Sequence, residues 1–255
     1  MNHAQFQAFS EFREDFRSKC AEWNLNFSEI LQPLQKNVAQ KDTPVYPLET
    51  AVVYNRAFDE VTEQDTIRYF VIGDNPGKDE QLAKNNRYLV GQSGKIAAGF
   101  FARNPEFKTD FRKNVLILNK TPVHTAKTTH LKYLSKEGGK VIQDLIYTSQ
   151  TWMAEQTAKL HTALVSSADH MNPAPELWLV GYAELREKGI FLPYRDILRA
   201  SYDDEIWQYV YVFQHFSMNR FLIDLKDYCA THTDLDLQEA VHSLGKQHRR
   251  EIFGN

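Results

Sequence analysis

The stretch IRYFVIGDNPG, residues 67–77, decides the fold. Apolar, β-branched and aromatic letters dominate IRYFVIG (67–73), which reads as a buried strand. The chain then leaves through Gly73, Asp74, Asn75, Pro76 and Gly77. Two glycines and a proline make a tight, stiff exit, suited to plain punctuation or to holding a ligand against bare backbone.

Three further segments have the same character: NVLILN (114–119), LWLVGY (177–182) and QYVYVF (208–213). Helical patterns separate them. SGKIAAGFFARN (93–104) follows the first strand, and a long amphipathic run at 140–165 follows the second. In that run Val141, Leu145, Ile146, Trp152, Met153, Leu160 and Leu164 recur near helical spacing. A short helix is expected at 183–188 after the third strand. Strand–helix alternation predicts a three-layer α/β/α fold with a four-stranded parallel central sheet, plus N- and C-terminal helices. The expected organisation is one domain over 1–255, with a mainly helical extension at 1–60 and a core at 61–230.

With 255 residues, 42% hydrophobic and 25% charged, the chain has enough apolar content for one large core. No run is long and apolar enough to span a membrane, and the N-terminus MNHAQFQAFSEFREDF lacks a signal-peptide layout. The expected location is cytoplasmic and the expected state a monomer. Cys20 and Cys229 read as reduced thiols, too few for a four-thiolate cluster. The net charge of −3 does not mark a strongly basic nucleic-acid binder. Locally, Lys108, Arg112, Lys113, Lys120, Lys127, Lys132 and Lys136 tip residues 103–136 toward positive charge, which also fits a solvated face.

Ligands of open parallel sheets bind beyond the carboxyl ends of the strands. There the chain places Gly73–Gly77, then Asn119 with Lys120, then Gly181 and Tyr182, then Gln214–Asn219. Asn75, Asn119 and His215 therefore converge on one edge. Each has a plainer role open to it: Asn75 as a turn cap, Asn119 as a loop tie, His215 as a structural histidine. The first loop is not a phosphate-binding P-loop. Three residues separate its glycines where four are needed, and Asp79 follows Lys78 where Ser or Thr is needed.

The set GDNPG (73–77), RYLVGQSG (87–94), LILNKTP (116–122) and QHFSMNR (214–220) resembles the uracil-DNA glycosylase superfamily over about 67–225. GDNPG is similar to the loop of the mismatch-specific and single-strand-selective branches. RYLVGQSG is similar to a segment of the thermostable, iron–sulfur branch, but the cluster cysteines are absent. HFSMNR resembles the His-Pro-Ser motif, with Phe216 in place of Pro. Leu89, beside Tyr88, stands where that family stacks a Phe, and Asn75 where its most efficient branch has Asp.

The resemblance implies a monofunctional glycosylase, with no cofactor and no metal, acting on uracil or a related deaminated base in DNA. Such an enzyme extrudes the base, stabilises its departing negative charge and presents water to the sugar. On this pattern Asn75 and His215 are catalytic. Asn75 orients water, although an amide is no base; the neighbouring acids Asp74 and Asp79 are candidates to compensate. Asn119 reads the uracil edge, and Gly73, Asp74, Tyr88 and Leu89 complete the base site. Gly77, Ser93, Lys120, Ser217, Met218, Asn219 and Arg220 contact DNA, with Met218 as a wedge. The plainer alternatives are a surface aromatic for Tyr88, an N-cap for Ser93 and a packed helix start for Met218. Gly77 in place of a bulky aromatic implies relaxed choice at the 5-position. Two rivals remain: a nucleic-acid-binding protein without excision, and a small-molecule nucleoside hydrolase.

Overall fold

The computed structural model describes residues 1–254. Its strands are β1 (Tyr69–Gly73), β2 (Val115–Asn119), β3 (Glu176–Val180) and β4 (Val210–Phe213). They form one all-parallel sheet in the order β2-β1-β3-β4. All four expected strands are present, slightly trimmed. The helices are α1 (His3–Ala39), α2 (Gln92–Arg103), α3 (His130–Glu137), α4 (Gly139–Ser166), α5 (Leu192–Ala200), α6 (Asp204–Trp207), α7 (Arg220–Thr231) and α8 (Leu237–Phe253).

Side chains alternate across the pleat, so each strand feeds both layers. On one face Phe70 meets His161 of α4 at 5.2 Å between ring centroids. On the other, Trp178 packs with Phe101 of α2, Phe213 of β4 and Phe221 of α7 at 5.4, 4.8 and 6.0 Å. Gly245 lets α8 close onto β4, since a Cβ there would lie 2.7 Å from Phe213 and 2.9 Å from Tyr211. The helix α1 covers α4 through Phe16 and Trp23, both against Trp152. An Asn2–Gln5 capping box starts α1, and Phe9, Phe12, Phe16, Cys20 and Trp23 form its buried stripe.

The hydrophobic core runs without a break from Met1 to Ile252, so α1 and α8 belong to it as well as residues 61–230. After the turn that ends α1, residues 44–55 form neither helix nor strand, so the extension at 1–60 is helical only in part; they reach the sheet through a single Val52–Val123 bridge. The helix expected at 183–188 is a 3-10 turn, Tyr182–Leu185. No helix among the described residues is long and apolar enough to cross a membrane.

The strand order sets the site. From β1 the chain goes to β2 on one side, and from β3 to β4 on the other. Adjacent strands whose outgoing connections part in this way leave a crevice at their carboxyl ends. The end of β1 with its loop 74–77, and Gly181 after β3, meet there.

Candidate active site at the carboxyl edge of the sheet

Gly73 pairs in register with Asn119. A Cβ at Gly73 would run into Asn119 Oδ1, so the glycine is what lets that amide lie against the β1 backbone. Asn119 is 2% exposed, and its Nδ2 has no hydrogen-bond partner among the described residues. A buried donor left unpaired costs about 1–3 kcal/mol. Asn119 is therefore not the loop tie that its position allows.

Asp74 turns the other way, into the crevice. Its Oδ1 accepts from Lys120 Nζ at 2.6 Å and its Oδ2 from Thr128 Oγ1 at 3.2 Å. Lys120, expected at a DNA surface, is instead fully buried. It also donates to the carbonyls of Val180 and Gly73 and lies 4.9 Å from the centre of the Phe191 ring. Burial lowers its proton affinity, and the Asp74 carboxylate opposes that effect. The pair exists only because residue 181 is glycine. Gly181 has φ +101°, and a Cβ there would strike Asp74 Oδ1.

Asn75 faces away from the crevice. Its Nδ2 donates to Thr125 Oγ1 at 2.8 Å, tying the loop to residues 123–125. No protein donor reaches its Oδ1 among the described residues, which leaves one acceptor for water. The Pro76 carbonyl accepts from Thr125 N and from His124 Nδ1. Tyr46 OH lies 2.9 Å from His124 Nε2. Burial pushes the His124 pKa down to about 4, so the ring is neutral at pH 7 and bonds as Nδ1–H. Glu80 ties the far side of the loop, accepting from Gly77 N at 3.2 Å and Leu89 N at 3.0 Å. Burial raises its pKa to about 7. Gly77 itself has nothing within 4 Å of where a Cβ would sit.

His215 has a fixed tautomer. Ser217 N donates to His215 Nδ1 at 3.0 Å, and Ser217 Oγ lies 2.8 Å from the same atom. Nδ1 is thus the acceptor, and the ring proton sits on Nε2. Burial lowers the His215 pKa; Asp74 raises it and Lys120 lowers it further as smaller causes. A neutral ring with an Nε2–H donor results. Phe216, where the resembled motif has Pro, is buried against Phe221 at 5.0 Å and anchors the turn. Beyond Ser217, Met218 (φ 55°, ψ 28°) and Asn219 (φ 56°, ψ 17°) are both left-handed. That costs about 1 kcal/mol or more at a methionine. Met218 is 75% exposed, so it is not packed inside the next helix. Arg220 opens α7, where the helix dipole disfavours a cation, and it lines the crevice.

Other expected contacts fall elsewhere. Tyr88 is fully buried and donates to the Val53 carbonyl at 2.6 Å, so it presents no face to a base. Leu89 is buried with φ 51°, and its carbonyl accepts from Arg112 Nη2. Gly91, not Ser93, is the N-cap of α2, and Ser93 makes no capping bond.

The crevice opens into a cleft of about 1160 Å³ that includes Asp74, Gly181, Gln214, His215 and Arg220. Lys132, Arg186, Lys188 and Arg195 add positive charge along it, against Glu184, Glu187 and Glu251. The basic bias of 103–136 therefore supplies only Lys132 here. Lys127 pairs with Asp42, and Arg112 is spent on backbone carbonyls. The other cations come from the turn after β3 and from α5, which carry no motif. Asn75, Asn119, Leu89 and Met218 do not line this cleft. No cluster of three or more His, Cys, Asp or Glu is placed to hold a metal among the described residues. Comparison with protein-family models, curated proteins and solved structures finds no match to this chain.

Proposed function

We propose that this protein is a monofunctional DNA glycosylase that hydrolyses the bond between deoxyribose and uracil or a related deaminated base. The observation that carries the reading is the Asn119 amide, enclosed beside Gly73 with its Nδ2 unpaired. Buried amides are normally satisfied, and one that is not is suited to a ligand that completes it. An amide offers a donor and an acceptor side by side, the complement of the O4 and N3–H edge of uracil. Cytosine presents the reverse pattern and would leave buried groups unpaired, a strong basis for rejection.

The neutral His215 supports the same chemistry. Its Nε2–H donates to a carbonyl oxygen that turns anionic as the base leaves. A fixed donor of this kind is worth about 3 kcal/mol of barrier. Met218, exposed on a strained turn three residues on, suits the space that an extruded base vacates. Arg220 and the cations of the cleft suit the phosphates on either side. Because Asn119 is enclosed, the reading requires a segment beside it to move as a base enters.

One observation favours the rival without excision: the Asn75 amide is tied to Thr125 rather than turned to the cleft. The test separates the two. Purified protein is incubated with single- and double-stranded oligonucleotides carrying one uracil, then treated with alkali and sized. Cleavage at the uracil that falls with Asn119→Ala and His215→Ala is expected. Binding without cleavage in all substrates, including hypoxanthine and xanthine, would leave the rival standing.

A further inference from the structure

We propose that the cleft beside His215 takes the unpaired nucleotides that flank the target base in single-stranded DNA, with Tyr182 as the platform on which one of those bases stacks. The inference rests on the glycosylase reading for the identity of the ligand as DNA. It adds the form of the strand and a residue that senses a neighbouring base.

The extruded base does not account for this cleft. Asn119, which carries the base reading, does not line it. The volume of about 1160 Å³ also exceeds the roughly 300–1,000 Å³ of an ordinary small-ligand site. Most of the wall comes from the turns after β3 and β4 and from the end of α8, on the far side of β1 from Asn119.

The charge left free in the cleft is positive. Asp74 is held by Lys120, and Glu251 accepts from Tyr182 OH and Gln247 Nε2. Glu184 accepts from Ile190 N and lies 3.7 Å from Lys132. Lys132 and Arg195 are engaged too, on the carbonyls of Lys188 and Leu185. Arg186, Lys188 and Arg220 are exposed and enter no ion pair among the described residues. Glu187 is left to oppose them. A groove with surplus cations and an aromatic face is the arrangement that holds a single strand.

Tyr182 supplies that face. Gly181 N donates to the Phe213 carbonyl, so the turn carrying Tyr182 lies beside the one carrying His215. Tyr182 is half-buried, and its ring packs on the buried His248 at 4.8 Å between centroids. Its hydroxyl donates to Glu251 Oε2 at 2.7 Å. The ring is therefore fixed before a ligand arrives, which lowers the ordering cost of stacking. Arg186 lies 5.8 Å from the ring centre, near the outer limit of a cation–π contact, and is exposed. An incoming base displaces it toward the phosphate at small cost. In a duplex the flanking bases are already stacked and paired, so only an unpaired strand offers a free base face.

The test is affinity by anisotropy for an oligonucleotide with one uracil, with folding checked by thermal melting. A 2′-fluorine on the uracil sugar disfavours the cationic sugar and keeps the strand uncleaved. A single abasic spacer is stepped through the positions on either side of the uracil. At one of these positions the spacer is expected to weaken wild-type binding about tenfold. Tyr182→Ala should lose about tenfold on the intact single strand, and the spacer at that position should then cost less than about twofold more. Tyr182→Phe, which keeps the ring, should stay within about threefold of wild type. On the matching duplex Tyr182→Ala should change affinity less than about threefold. Arg186→Gln/Lys188→Gln should shallow the slope of log affinity against log salt by about 1.4 on single strands. The spacer scan on wild type needs no variant, so the test stands even if Tyr182→Ala does not fold. No spacer position that weakens wild-type binding, or spacer and Tyr182→Ala losses that multiply to about 100-fold, would overturn the proposal while excision of uracil by wild type kept the glycosylase reading. The expected spacer pattern without excision from any unmodified uracil strand would overturn the glycosylase reading and leave the cleft assignment in place.

Discussion

At His215 the protonation state is fixed by its own turn, since Ser217 donates to Nδ1 through its backbone. His215→Ala should lower excision about 100-fold. Ser217→Ala removes only the hydroxyl and keeps the backbone donor, so single-turnover rates should fall about three- to tenfold. Equal losses for the two would contradict the assigned tautomer. Gly181 gives a stability prediction at the same scale. Gly181→Ala forces a side chain against Asp74 Oδ1 at φ +101° and breaks a buried pair. Urea unfolding should show a loss of about 3 kcal/mol or more. Single residues were the most uneven part of the sequence reading. Asn119 and His215 stand out because polar letters directly follow apolar strands. Lys120 looks alike in sequence, yet its ammonium is buried under three carbonyl and carboxylate oxygens. Tyr88 likewise reads as a platform and is core. Nothing local tells a long polar side chain that it folds inward.

Among the elements, the turn 215–220 joins strain to exposure. Met218 pays for its left-handed backbone, which glycine adopts without penalty. Met218→Gly should raise stability by about 1 kcal/mol in urea unfolding. It should also lower uracil excision at least tenfold in duplex and little in single strands, because only a duplex leaves a gap to fill. Losses equal in both substrates would argue against a wedge. The strands were legible because short β-branched and aromatic runs bounded by Gly, Asn and Pro have few other readings. The helices α3, α5 and α6 were not. They are short, and α5 carries Pro193 in its first turn, which reads as a break although that position tolerates proline. The cleft cations Arg186, Lys188 and Arg195 were missed with them.

At the scale of the whole molecule, the parallel sheet followed from the alternation of strands and helices, whereas the strand order did not. Order depends on which faces the long helices cover, and that is a property of packing across the chain. The same packing encloses His124 and His161, each with a pKa pushed down by burial to about 4. The unfolded chain binds more protons at these sites between about pH 6.5 and 4, so their contribution is intact above 6.5 and lost as pH falls. Each loss approaches about 3 kcal/mol at the acid end. Glu80 acts in the opposite sense. Its raised pKa, about 7, stabilises the fold at low pH and is lost as pH rises through 7. Urea unfolding should therefore show a net decline from pH 7 to 4.5, smaller than the two histidines alone would give. His124→Gln should flatten that slope, and an unchanged slope would contradict the burial account.

The most direct test of the central claim is chemical identification of what the protein releases from a strand carrying one isotopically labelled uracil. The account predicts free labelled base and a full-length strand with one abasic sugar, formed without added cofactor. Labelled nucleoside or nucleotide among the products, or label retained wholly in the strand, would contradict it.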